Sequence, residues 1–145
     1  MKDADVDLAV KSIIASRVIN TGQVCNCAER VYVDKAIKET FMEKLVAGMK
    51  QVKVGNPNEI ADLDMGPLIE ASALKSMEKK VERAIQQGAR LLCGGHRIGT
   101  KGYFFEPTVL DCVTQKIGYH TRRDFWPRAT GCRIFGHQRR YRMGE

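Results

Sequence analysis

The chain has 145 residues, a length that suits one domain and leaves little room for two. Hydrophobic residues make up 43% and charged residues 28%, which is typical of a soluble globular protein. No apolar run approaches the ~20 residues of a membrane span, and no signal-peptide pattern opens the chain. We therefore expect no contact with a membrane and a cytoplasmic location.

The net charge of +7 is distributed unevenly along the chain. Residues 117–145 hold seven arginines, no lysine and two acidic residues, so most of the excess positive charge lies there. A basic protein can bind nucleic acid through phosphate contacts. Any such function would therefore depend on the last 29 residues and not on the rest of the chain.

The first third of the chain predicts a helix, a strand and a second helix. Hydrophobic residues at helical spacing predict a helix over residues 6–18, with Asp3 and Asp5 placed to cap it and to interact with its dipole. Residues 30–33 predict a short strand. Asp34 is then expected to cap a second helix, whose apolar face runs over residues 37–52.

The middle of the chain repeats this alternation. Ser72 is expected to open a third helix that ends at Gly88, and Leu74, Met77, Val81, Ala84 and Ile85 are expected to face inward. Residues 90–93 predict a strand, and residues 104–113 predict a second extended stretch. This alternation predicts an α/β fold whose short strands form a mostly parallel sheet.

After Lys116 the sequence shows neither a helical nor a strand period. Apolar residues are scattered among arginines, which is unusual for a natural folded sequence. We therefore divide the chain into residues 1–116, in which helices and strands alternate, and residues 117–145, which we expect to form a disordered and irregular Arg-rich tail.

Five cysteines are present, and in a cytoplasmic protein they are expected to be reduced. Cys25 and Cys27 form a C-x-C pair, but no His lies near them in sequence and no second pair accompanies them, so we expect no metal site. Cys25 follows a Gly-containing loop after the first helix, a place from which a thiolate nucleophile can project. The residues alone also allow the alternative that Cys25 is a small core residue.

A series of motifs decides between these two interpretations. N-T-G-Q-V-C-N-C-A-E-R-V-Y-V begins at residue 20, and D-A-D-V-D-L-A-V precedes it at residues 3–10. V-G-N-P, M-G-P-L-I, G-A-R-L-L-C-G-G and G-Y-F-F-E-P-T-V-L follow in that order. The series resembles the aldehyde dehydrogenase family, and most of all its bacterial lactaldehyde (glycolaldehyde) dehydrogenase branch, over residues 3–116.

The resemblance implies a role for Cys25. In the family this cysteine attacks the aldehyde carbon, the hemithioacetal gives a hydride to NAD or NADP, and the thioester is hydrolysed to the acid. The backbone N–H of Cys25 would help to hold the oxyanion. Gly22 and Gln23 would shape the loop, Cys27 would pack, and residues 29–30 would form ion-paired scaffold. The implied partner is a small aldehyde, and the parent enzyme is implied to be a homo-oligomer.

The same resemblance implies that parts of the reaction lie outside this chain. The family's general base belongs to an L-E-L-G-G stretch upstream of D-A-D, and its oxyanion Asn and dinucleotide domain lie further upstream. No phosphate-binding glycine motif occurs in the sequence. We therefore expect a remnant that is inactive by itself and binds no cofactor.

The tail has its own explanation. The family continues with M-D-I-I-H-E-E-T-F-G-P, whereas residues 117–127 read I-G-Y-H-T-R-R-D-F-W-P. One extra base in the first codon of a segment encoding the family string can produce the observed one, which predicts a frameshifted pseudogene fragment. The alternative is a small basic protein that binds nucleic acid through this tail. The basic and aromatic residues of the tail do not recur with a period that would place them on one face, which argues against that function.

Overall fold

The computed structural model describes residues 3–113 and 131–135. Within that part of the chain, three α-helices and a four-stranded sheet form the fold. The helices are α1 (Val6–Val18), α2 (Lys38–Lys50) and α3 (Ala71–Gln86), and a short 3₁₀ helix follows α1 at Ile19–Gly22. The strands are β1 (Arg30–Tyr32), β2 (Arg90–Cys93), β3 (Thr108–Val113) and β4 (Gly131–Phe135). The predicted α/β class is confirmed.

The first two helices differ in how well their starts were predicted. α1 has the predicted bounds, and the carboxylate of Asp5 accepts a hydrogen bond from the backbone N–H of Leu8 at 3.0 Å. Asp34 does not cap α2, because its carboxylate accepts from the N–H of Ala36 at 3.0 Å and α2 begins only at Lys38. Asp34 therefore stabilises a local turn that precedes α2 and does not cap α2.

The third helix ends as predicted. Gly88 adopts a left-handed conformation with φ of 93°, and the next residue's N–H, that of Ala89, donates to the carbonyl of Ala84 at 2.9 Å. Glycine reaches this conformation without the penalty that a Cβ imposes. The inward-facing prediction is wrong for Ile85, which is 43% exposed, while Leu74, Met77, Val81 and Ala84 are buried.

The sheet has the order β1-β4-β3-β2, and all three pairings are antiparallel. The prediction of mostly parallel pairing is therefore wrong for this sheet. Parallel neighbours need a crossover connection, usually a helix, between them. Here α2 and α3 lie between β1 and β2, which are the two edges of the sheet and are not neighbours. The helices thus connect its opposite edges.

The tail contains one regular element. β4 lies between β1 and β3, so residues 131–135 are a strand and the prediction of an irregular tail is wrong for these five residues. Residues 117–130 and 136–145 lie outside the described part, and the prediction of disorder for them stays a prediction.

The core that positions the N-terminal half lies between α1, α2 and the sheet. Its buried residues are Val10, Val33, Phe41, Met42, Leu45, Met49 and Val109. A second buried cluster joins α3 to Leu68 and Phe105. α1 packs on α2 along its length. The C-terminal end of α1, from which the next loop begins, is therefore held in a fixed position.

Asp111 ties α2 to the sheet by ion pairs. Its side chain is fully buried on β3, and its two carboxylate oxygens lie 2.8 Å from Lys38 Nζ and 3.0 Å from Arg90 Nη2. Burial alone would raise the pKa of Asp111, but the contacts with Lys38, the N–H of Cys112 and Arg90 outweigh it, so the pKa lies below its ordinary value. The carboxylate therefore stays charged.

Candidate functional site

The loop that carries Cys25 begins with an unusual backbone turn. Asn20, Thr21 and Gly22 all have positive φ, at 46°, 58° and 72°. Glycine adopts this region freely, asparagine tolerates it, and threonine, which is β-branched, does so only at a cost. The three residues form a kink immediately after α1, and other contacts must hold Thr21 in place.

Those contacts come from the M-G-P-L-I segment at residues 65–69. The hydroxyl of Thr21, a buried residue, donates to the carbonyl of Gly66 at 3.0 Å. The side-chain oxygen of Gln23 accepts from the N–H of Ile69 at 2.9 Å, and its Nε2 donates to the carbonyl of Asn20 at 2.9 Å. Gln23 thus shapes the loop, as the sequence predicted, and two motifs far apart in sequence fix each other.

Cys25 lies beyond this anchored start of the loop. Its side chain is exposed, and no hydrogen bond among the described residues involves its sulfur or its backbone N–H. An exposed thiol on a fixed loop can reach a small substrate. The alternative that Cys25 is a buried core residue is therefore wrong.

Arg17 is a residue of this site that sequence reasoning missed. It lies in the last turn of α1, is only 2% exposed, and donates from Nη1 to the sulfur of Cys27 at 2.8 Å. The Cys27 thiol in turn donates to the carbonyl of Gly22 at 3.2 Å. Cys27 therefore makes specific polar contacts in addition to packing. A signal was present, since Arg17 stands three, four and seven residues after Ile14, Ile13 and Val10, on the same helix face.

The Arg17 guanidinium also lies against Gly22. A Cβ added to Gly22 would be 2.7 Å from both Cζ and Nη2 of Arg17, so no other residue fits there without displacing the arginine. Burial lowers the pKa of Arg17, while the nearby Cys27 and Glu29 act in the opposite direction. A guanidinium is so strongly basic that Arg17 remains a cation near neutral pH despite this lowering of its pKa.

The other described cysteines offer weaker nucleophile candidates. Cys93 is partly buried, and burial raises the pKa of its thiol, which disfavours the thiolate. Cys112 is exposed, but its thiol donates a hydrogen bond to Asp111 Oδ2, with 3.6 Å between the sulfur and the oxygen. None of the four cysteines that the structure describes is in a disulfide.

A metal ion or a phosphate would need suitable groups among the described residues to hold it. No group of three or more His, Cys, Asp or Glu side chains gathers there as metal ligands. Helix N-termini commonly hold pyrophosphates, but α1 has the Asp5 carboxylate on its first turn, α2 has Glu39 in its first turn, and Glu70 precedes α3. These acidic side chains would repel a phosphate group placed at the same helix N-termini.

Two further expectations from the sequence concern membranes and nucleic acid. None of the described helices has the length and hydrophobicity to cross a bilayer. The arginines that the nucleic-acid interpretation depends on belong to residues 117–145, and their side chains lie outside the described part.

Comparison with known proteins places the chain in a family. The aldehyde dehydrogenase family profile matches residues 1–126, which extends beyond the boundary predicted at residue 116. The chain is 51% identical to lactaldehyde dehydrogenase of Escherichia coli (strain K12) over 127 residues, and 42% identical to 3-sulfolactaldehyde dehydrogenase of Pseudomonas putida over 127 residues. Each alignment covers 88% of this chain and 26% of the relative, so the chain spans about a quarter of these proteins.

Solved structures agree with the sequence relatives. The fold is similar to the crystal structure of lactaldehyde dehydrogenase from Escherichia coli, with a TM-score of 0.78 and 54% identity over 81% of this chain and 24% of that one. It is also similar to 3,6-anhydro-L-galactose dehydrogenase in complex with NAP, with a TM-score of 0.76 and 42% identity over 81% of this chain and 25% of that one. This chain belongs to the aldehyde dehydrogenase family.

Proposed function

We propose that the chain carries the cysteine nucleophile of an NAD(P)-dependent aldehyde dehydrogenase, and that Cys25 is that nucleophile. The observation that supports this most directly is the exposed Cys25 thiol on a loop that Thr21 and Gln23 anchor to residues 65–69. Both segments lie within the family match. The substrate class is a small aldehyde, and the names of the relatives are consistent with it.

In this proposal the Cys25 thiolate attacks the carbonyl carbon of the aldehyde. A carbon–sulfur bond forms, the carbonyl π electrons move to oxygen, and the resulting oxyanion needs a hydrogen-bond donor. The N–H of Cys25 is a suitable donor because no hydrogen bond among the described residues occupies it. The described residues thus suffice for formation of the first covalent bond.

We also propose that the 145-residue chain by itself stops at a covalent intermediate. Hydrolysis of a thioester needs a base that activates water, and hydride removal needs a bound dinucleotide. The chain spans about a quarter of its relatives, and the described helix N-termini repel phosphate. It therefore represents the nucleophile part of a larger catalytic apparatus.

A chromogenic ester tests this proposal without a cofactor. The thiolate attacks the carbonyl of p-nitrophenyl acetate as it would an aldehyde, and acetyl transfer to sulfur expels p-nitrophenolate, which is measured by its absorbance. We expect a burst of about one p-nitrophenolate per chain and little turnover afterwards. Aldehyde with NAD or NADP should give no reduced cofactor. Continuous reduction of NAD(P) by the purified chain would contradict the expected stop at a covalent intermediate.

We further propose that the chain is a frameshifted fragment and that residues 117–145 are read out of frame. The arginine-rich, lysine-free composition of these residues and the relation between residues 117–127 and the family string support it. Sequencing the gene across codon 117 and on both sides tests it. The shifted frame should encode the family's continuation, and the proposal fails if no frame beyond Lys116 does so.

A further inference from the structure

The nucleophile loop is held at its two ends by one buried cation. Arg17 contacts Cys27 through Nη1 and lies against Gly22, and Cys27 is hydrogen-bonded to the carbonyl of Gly22. These three residues, here called the Arg17 clamp, enclose residues 23–26. Cys25 is therefore the exposed part of a short loop whose ends are joined at its base.

The clamp is not explained by packing alone. An arginine that is 2% exposed loses most of its hydration, and its Nε and Nη2 find no hydrogen-bond partner among the described residues. Burying unpaired guanidinium N–H groups costs free energy, and an apolar side chain of similar size would avoid that cost. A costly, specific contact on the loop that carries the nucleophile suggests a role in its geometry.

The geometry also indicates what the clamp controls. Gly22 and Cys27 fix the path of the backbone on both sides of Cys25, and hence the direction of the Cys25 N–H. A donor stabilises an oxyanion only when it points to the place where the negative charge develops. Displacement of a reacting group by about 1 Å can lower a rate by about a hundredfold.

We propose that Arg17 is a positioning residue for Cys25, acting through Cys27 and Gly22 to hold the loop in the conformation that stabilises the oxyanion. This inference rests on the proposed function of Cys25 as the nucleophile. It assigns Arg17 no contact with the substrate. It also gives Cys27 a part in the site, as the group that connects Arg17 to the loop.

The experiment compares two reactions of the same thiol in the full chain. Acylation of Cys25 by p-nitrophenyl acetate passes through an oxyanion, whereas alkylation by iodoacetamide does not. Both depend equally on exposure and on the thiolate fraction, so the ratio of their rate constants reports the oxyanion geometry. We expect Arg17→Met and Cys27→Ala to lower this ratio on the order of tenfold.

Two variants serve as matched controls. Cys27→Ser keeps a donor for the Gly22 carbonyl and an acceptor for Arg17, and should retain the ratio within about twofold. Lys11→Met removes an exposed cation from the same helix and should leave the ratio unchanged. Wild-type ratios in both Arg17→Met and Cys27→Ala would overturn the inference. If Arg17→Met does not fold, the test is the comparison of Cys27→Ala with Cys27→Ser. Equal ratios of the two rate constants in these variants would overturn the inference.

The rate ratio of the wild-type chain, measured folded and in urea, distinguishes failure of this inference from failure of the proposed function. If Cys25 has the same ratio in the folded chain as in urea, the fold provides no oxyanion stabilisation, and both proposals fail. If the folded ratio is higher but insensitive to Arg17 and Cys27, Cys25 remains the nucleophile and only the role of the clamp is contradicted.

Discussion

Replacement of Cys25 by alanine is expected to abolish the p-nitrophenolate burst of this chain. The change removes the exposed thiol of this loop, while the side-chain contacts of Thr21 and Gln23 that hold the loop stay in place. Because the Cys25 side chain is exposed, its truncation should change stability by less than about 0.5 kcal/mol. Loss of the burst would then be chemical in origin.

Cys112→Ala is the matched control for this experiment, because Cys112 is also exposed. Its thiol donates a hydrogen bond to the Asp111 carboxylate at 3.6 Å and lies outside the Cys25 loop, so its removal should leave the burst amplitude unchanged. A burst that persists in Cys25→Ala and disappears in Cys112→Ala would show that Cys112, and not Cys25, is the nucleophile.

Replacement of Asp111 by asparagine is expected to destabilise the chain by about 2 kcal/mol near neutral pH. Removing one partner of a buried ion pair costs about 3–5 kcal/mol, and we reduce this value because Lys38 and Arg90 are 22% and 68% exposed and can recover part of their hydration. The midpoint of urea unfolding, followed by circular dichroism, measures the change.

The pH dependence has a definite sign. The pKa of Asp111 is lowered in the folded chain, so its charge stabilises the fold above the unfolded pKa of about 3.9, and the contribution is lost as pH falls through the folded pKa. The difference between wild type and Asp111→Asn should be constant near pH 7 and shrink below about pH 4. A difference that grows on acidification would show that the ion pairs do not stabilise the fold.

Asp62→Asn supplies the control for this second experiment. Asp62 pairs with Lys53 at 3.0 Å, but both side chains are largely exposed, at 96% and 60%. Ion pairs at the surface contribute about 0–1 kcal/mol, so this substitution should change the free energy of unfolding much less than Asp111→Asn does.

The sequence predicted the local structure well where the signal is itself local. The bounds of α1 follow from its helical periodicity and the Asp5 cap, and the end of α3 follows from Gly88. Helices are stabilised by contacts between residues three and four apart, so a short segment carries most of the information. The function of Asp34 was misread because its carboxylate can close a turn or cap a helix with the same geometry.

The sheet could not be predicted in the same way. Strand periodicity reports which residues face the core, but not which strand becomes the neighbour. β4 inserts between β1 and β3, and it belongs to a segment where the sequence has no clear period. The antiparallel order therefore depends on contacts between distant parts of the chain, which no single segment specifies.

The candidate site was likewise predictable only where its signal is local in sequence. Cys25 and Gln23 were found because their motif resembles a family motif. The contacts of Thr21 and Gln23 with residues 66–69 join segments more than forty residues apart and needed the fold. Arg17 was missed because only hydrophobic residues were used to predict the inward face of α1. Its burial is a tertiary property.

The most direct test of the central claim is to locate the acetyl group after the burst. The chain is treated with p-nitrophenyl acetate, digested, and analysed by peptide mass spectrometry with quantification at each cysteine. The account predicts that the acetyl thioester is concentrated on the peptide that contains Cys25. Acetylation spread evenly over the cysteines, or located mainly at another one, would contradict the assignment of Cys25 as the nucleophile.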